Sequence, residues 1–182
     1  MRFGFKEWAV ICRALAAGRQ ALILRKGGIA EEDGVFRPDH ARFWLLPTYL
    51  HQNADGLKPA AAVWLPEIER ERPPTDVIRL THFAEVPGVF RADRLDALLE
   101  LDRLHVWSEA TVRQRFTYRQ PGLFVLPVRV FALAEPVEVP NRPEYDGCKT
   151  WVDFGSELPT NGQPVLSDRA FADVLEVIER TP

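Results

Sequence analysis

Residues 123–133, LFVLPVRVFAL, constrain the fold of this chain more than any other stretch. Arg129 is their only charged member, and Pro127 interrupts them once. Proline carries no ladder N–H and clashes inside a helix, so the run reads as the strongest strand of the chain, broken at one point. The rest must supply partners for a strand with little polar face.

Two more apolar runs qualify, residues 21–24 (ALIL) and 43–46 (FWLL). Residues 77–83 alternate well enough for a strand, 86–90 continue it after the Pro87-Gly88 turn, and 150–154 form a short one after a turn at 145–149. Residues 136–143 are extended and proline-rich. Phe5, Trp8, Ala9, Cys12, Leu15 and Ala16 recur at three- and four-residue steps, which predicts a helix over 5–17, stopped by Gly18. A helix over 92–101 carries Leu95, Leu98, Leu99 and Leu101. Ser108 caps another over 109–116, with Glu109 in its first turn. Ser167 or Asp168 caps a last amphipathic helix on Phe171, Val174, Leu175 and Ile178. Residues 60–64 begin a short helix. The order α-β-β-(α)-β-α-α-β-β-α lacks regular βαβ alternation, and this favours α+β. We therefore expect residues 1–182 to form a single compact domain, with a mixed, mostly antiparallel sheet flanked by helices. The charged, Pro-rich segment 70–75 is its subdomain break.

Composition limits the function. A chain of 182 residues can bury a sizeable core without staples, and 46% hydrophobic with 27% charged residues is ordinary for a soluble globular protein. The net charge of -3 supplies no global attraction to nucleic acid. It is uneven, however: Lys+Arg minus Asp+Glu is +3 over 1–50, -3 over 51–100, +1 over 101–150 and -4 over 151–182. Cys12 and Cys148 are too few for a disulfide framework or a zinc site, and Cys12 falls on an apolar face as plain core. Lys6-Glu7 interrupts the first apolar run and no apolar run approaches 18 residues, so we expect no signal peptide, no membrane and a cytoplasmic location.

The best site candidate is residues 21–52. The first run ends in Arg25-Lys26-Gly27-Gly28 and the second in Pro47-Thr48-Tyr49-Leu50-His51-Gln52. If both runs belong to one sheet, two cations and an imidazole meet at its end. A basic pair beside two glycines suits a phosphate or carboxylate, held by side chains and backbone N–H groups together. The expected ligand-binding set is Arg25, Lys26, Gly27, Gly28, Tyr49, His51 and Gln52, with Lys149 from a second wall over 145–151. Its partner is an anionic ligand or nucleic acid. The alternative is a hydrolase or nuclease-like enzyme using His51, with Cys148 as nucleophile beside Lys149. Plain structural roles for His51, a histidine satisfied at a strand end, and for Cys148, a small residue in a tight turn, compete with these.

Known chemistries find no complete pattern. Leu22–Arg25 followed by Trp44-Leu45-Leu46-Pro47 is Nudix-like only on the surface, because no glutamate-rich magnesium helix follows. The acid-x-Lys pair of a restriction-type nuclease is missing: Asp55…Lys58 and Asp146…Lys149 have the wrong spacing. There is no GxxxxGK[ST], HExxH, CxxC or GxSxG. No cofactor and no metal are called for. Residues 95–116 could be read as a helix-turn-helix with Arg113, Arg115 and Arg119 on phosphates, but Asp93, Asp96, Glu100, Asp102 and Glu109 oppose a backbone there. A cleft for a base or short single strand would instead use Arg25, Lys26, Tyr49 and His51, with stacking on Trp44 or Trp151.

The segments KEWAVICRAL, ALILRKGGI, FWLLPTYLHQ, VWSEATVRQRF and PEYDGCKTWV resemble the bacterial family called domain of unknown function 1802, from Lys6 to about Phe154. The resemblance implies a small soluble bacterial protein and brings with it no activity and no catalytic residues.

Overall fold

The computed structural model describes residues 1–26, 40–147 and 149–181. The chain is α+β, with two sheets. A six-stranded sheet has the order β8-β1-β3-β4-β7-β9, and a three-stranded sheet the order β2-β6-β5. The strands of the first are β1 (Phe3–Trp8), β3 (Arg42–Thr48), β4 (Val77–Glu85), β7 (Arg129–Pro140), β8 (Trp151–Asp153) and β9 (Gly162–Pro164). Those of the second are β2 (Leu22–Arg25), β5 (Phe90–Ala92) and β6 (Leu123–Pro127). Among the described residues, only β1 and β3 pair in parallel; every other strand pair is antiparallel. The helices are α1 (Ala9–Ala16), α2 (Pro59–Ala62), α3 (Leu65–Arg70), α4 (Leu95–Glu100), α5 (Glu109–Thr117) and α6 (Asp168–Glu179).

The run 123–133 supplies strands to both sheets. β6 ends at Pro127, and β7 begins at Arg129. Between them Val128 keeps its backbone engaged by donating to Ala21 O at 2.9 Å. The proline thus marks the corner where the chain passes from one sheet to the other.

β3 explains its own near-continuous apolar sequence. Phe43 and Leu45 join a large core with α1 and β2, while Trp44 and Leu46 join a second core with Leu80, Phe83, Tyr145, Val152 and Phe154. A strand covered on both faces has no polar side to alternate with. Gly4, its neighbour on β1, is required small: a Cβ there would lie 2.9 Å from the Phe154 ring.

Three expectations need correction besides the strand at 86–90, which does not continue β4 but gives way to β5 of the other sheet. Residues 5–17 are not one helix. Residues 3–8 form β1, and the helix starts at Ala9. The three- and four-residue steps from Phe5 to Cys12 bridge a strand and a helix that bury their apolar residues in the same core. Second, β3 does not stop at Leu46. It runs through Pro47, opposite Glu7, to Thr48, because a parallel partner on one side tolerates a residue without an N–H. Third, the runs 21–24 and 43–46 do not share a sheet, since β2 pairs with β6 and β3 with β1 and β4.

Candidate anion-binding site

The chain places Arg25 at the inner end of β2, against β1 of the other sheet. Its guanidinium lies over the Phe5 ring, 4.4 Å from the centroid. Phe5 is itself fixed by Phe43 at 4.8 Å and by the edge of Trp151 at 5.0 Å. Stacking holds the guanidinium plane but uses none of its N–H groups. Among the described residues, Arg25 Nε and Nη2 are buried and have no hydrogen-bond partner. Burial pushes its pKa down and Glu7 pulls it back up.

A second guanidinium stands nearby. Arg115 of α5 lies 3.8 Å from the centroid of Trp107, and Trp107 packs on Trp8 at 5.0 Å. Burial lowers the Arg115 pKa; Glu7 raises it and Arg25 lowers it further. Both arginines feel the same carboxylate, and Arg115 feels Arg25 as well. Glu7 is only 8% exposed, and its Oε1 accepts from the Trp8 N–H at 2.9 Å. Two cations against one carboxylate leave this poorly solvated cluster with an excess of positive charge.

Each residue expected at a site can now be placed. Lys26 Nζ donates to Phe116 O at 2.8 Å, Gly122 O at 2.9 Å and Gln120 O. Its ammonium thus closes the carbonyl end of α5. Tyr49 is half-buried under the Arg72 guanidinium at 4.8 Å and packs against the large core that also holds α1 and β2. His51 is exposed, with φ of 65°. Gln52 Oε1 accepts from Val10 N at 3.1 Å and so satisfies a donor in the first turn of α1. Lys149 is exposed, and its Nζ donates to Glu144 O at 3.0 Å. Gly27, Gly28 and Cys148 lie outside the described residues. Arg25 is thus brought to Phe5, Glu7 and Arg115, whereas Gln52, Lys26 and Lys149 each hold backbone groups.

Other expected side chains are occupied too. Trp44 is fully buried, with its Nε1 donating to Met1 O at 3.0 Å, so it offers no stacking face. Arg113 pairs with Glu109 at 2.7 Å. Arg115, read in the sequence as a phosphate contact on a recognition helix, faces inward. Cys12 is buried as expected, and burial raises its thiol pKa well above the usual value. Glu7 and Trp107 were not singled out for a site. The legible sign was a carboxylate two residues after Phe5, on the same face of an alternating strand. Among the described residues, no group of three His, Cys, Asp or Glu could hold a metal ion, and no helix is long and apolar enough to cross a membrane.

Comparison with known proteins adds a family. Residues 4–176 match the family described as Domain of unknown function (DUF1802). The chain belongs to that family. No curated protein matches its sequence. Among solved structures it is similar to the ASCH protein of Zymomonas mobilis, at 12% identity and a TM-score of 0.48, covering 96% of this chain and 92% of that one. A single-residue variant of the same protein gives 11% identity and a TM-score of 0.47, with 96% of each chain covered.

Proposed function

We propose that this member of the DUF1802 family is a binding module for a phosphate-bearing ligand, free or part of a nucleic acid, received at Arg25. The observation that carries the reading is the pair of buried Arg25 donors, Nε and Nη2, without acceptors among the described residues. An unmet buried donor costs about 1–3 kcal/mol, and more for a charged group. Folded proteins keep few such groups, and each calls for a reason. A phosphate oxygen supplies one. The planar fork of a guanidinium matches two phosphate oxygens, and the stacked Phe5 ring pre-orients that fork. Arg115 adds charge at longer range, and the surrounding core keeps its field from being screened as it would be in water. Glu7 opposes the ligand and limits affinity.

Titration calorimetry with inorganic phosphate, a nucleoside monophosphate and a short single-stranded oligonucleotide tests this. Arg25→Met keeps the apolar stem and should weaken binding at least about tenfold, equivalent to about 1.4 kcal/mol. Binding should also weaken as salt rises. Equal affinity in wild type and Arg25→Met would refute the proposal.

A further inference from the structure

A different site lies at the C-terminal end of β3. Two adjoining clefts of about 350 and 450 Å³ meet there. Both are walled by Pro47, Tyr49, Pro73 and Arg79, so Tyr49 stands between them. Clefts of this size fit small ligands. Part of the first is apolar, from Leu46, Val77 and Ile78. At its mouth Leu50 is 69% exposed, one of few large apolar side chains left in solvent among the described residues.

The first cleft carries cationic donors on its wall. Lys6, Arg72 and Arg79 line it, with Asp146 among the described residues that face it. Each cation has an anchor. Lys6 Nζ donates to Tyr145 O and, at 3.2 Å, to Gly147 O. Arg72 pairs with Glu69 at 3.2 Å and lies over the Tyr49 ring. Arg79 pairs through Nε with Glu138 at 2.9 Å. One anchor per guanidinium fixes its position and leaves further N–H groups for an acceptor. Rigid prolines and an aromatic ring flank these donors at low entropic cost.

We infer that this cleft binds a small organic carboxylate with a flat apolar body, the body against Tyr49 and Pro73 and the carboxylate toward Arg79. An inorganic anion would leave the apolar wall uncovered, and a neutral hydrocarbon would leave the remaining guanidinium N–H groups of Arg72 and Arg79 unused. The ligand class differs from the one proposed for Arg25, and the inference does not depend on that reading.

The test uses the full chain and backbone amide NMR, titrated with naphthalene-2-carboxylate, its neutral twin naphthalene-2-carboxamide, and inorganic phosphate. The carboxylate should shift the amides of Thr48, Tyr49, Ile78 and Arg79 saturably. The carboxamide should bind at least about tenfold more weakly. Arg79→Gln, at an exposed position that leaves the core untouched, should weaken the carboxylate several-fold; Arg72→Gln should do the same, while Arg25→Met should not change it. Absence of saturable shifts at these amides, equal binding of the carboxamide, or unchanged affinity in both arginine variants would overturn the inference. Phosphate shifts at Arg25 report on the other site alone, so the two readings fail separately.

Discussion

His105 should make this protein lose stability as pH falls from 6.5 toward 4. The residue is 3% exposed, and neither ring nitrogen has a hydrogen-bond partner among the described residues. Burial, helped by the Lys58 charge, pushes its pKa down to about 4. The unfolded chain protonates the same imidazole near 6.5. The folded-state value is thus the lower one. Between the two, the unfolded state binds a proton that the native state refuses, so stability is full above 6.5 and drains as pH drops toward 4. The gap corresponds to a limit of about 3 kcal/mol, with about 1.4 kcal/mol already lost at pH 5.5. That is a large share of the roughly 5–15 kcal/mol typical of a domain. Urea unfolding followed by tryptophan fluorescence, at pH 7 and at pH 5, measures it in wild type and in His105→Leu. Wild type should lose about 2 kcal/mol more than the variant over this interval. His82, also lowered by burial, has the same sign but is present in both proteins. Equal pH slopes for the two would refute the reasoning.

Further predictions concern the anion site and its frame. Glu7→Gln removes the carboxylate facing Arg25 and Arg115 while keeping an oxygen for the Trp8 N–H, so phosphate affinity should rise several-fold in calorimetry; unchanged affinity would contradict the opposition assigned to Glu7. Lys26→Met removes the cation that holds Phe116 O of α5 and the Gln120 and Gly122 carbonyls just beyond it, and should cost about 1–2 kcal/mol in urea unfolding. A larger effect on phosphate binding than on stability would contradict its role as a cap. Ala in place of Gly162 should disrupt the β7–β9 pairing, since a Cβ there would lie 2.9 Å from Ala132 O and from the Phe83 ring; amide exchange at Ala132, which faces Gln163 of β9, should speed up, and unchanged protection would count against it.

Much of the fold is legible where local signals are strong. Ser108 and Ser167 cap their helices through their hydroxyls, as the residue types suggest. The apolar runs of β2, β3 and β6 are strands because little in them can face water. β1 hides because Trp8 and Ala9 join strand to helix with no glycine or proline between them, and the apolar steps continue across the junction. The site divides in the same way. Arg25 is legible as a cation at a strand end. Its companions are harder to read, because Glu7, Arg25 and Arg115 lie on β1, β2 and α5 and meet only in the fold. Tyr49 looked like a neighbour of Arg25 only on the assumption that both runs shared one sheet.

The central claim, that Arg25 receives a phosphate, is most directly tested on its own Nε–H. Because this group is buried, its side-chain 1H–15N signal should be protected from exchange and assignable through its loss in Arg25→Lys. On titration with a nucleoside monophosphate the signal should move saturably, in step with the calorimetric isotherm. A signal that stays fixed while the nucleotide binds would contradict the account.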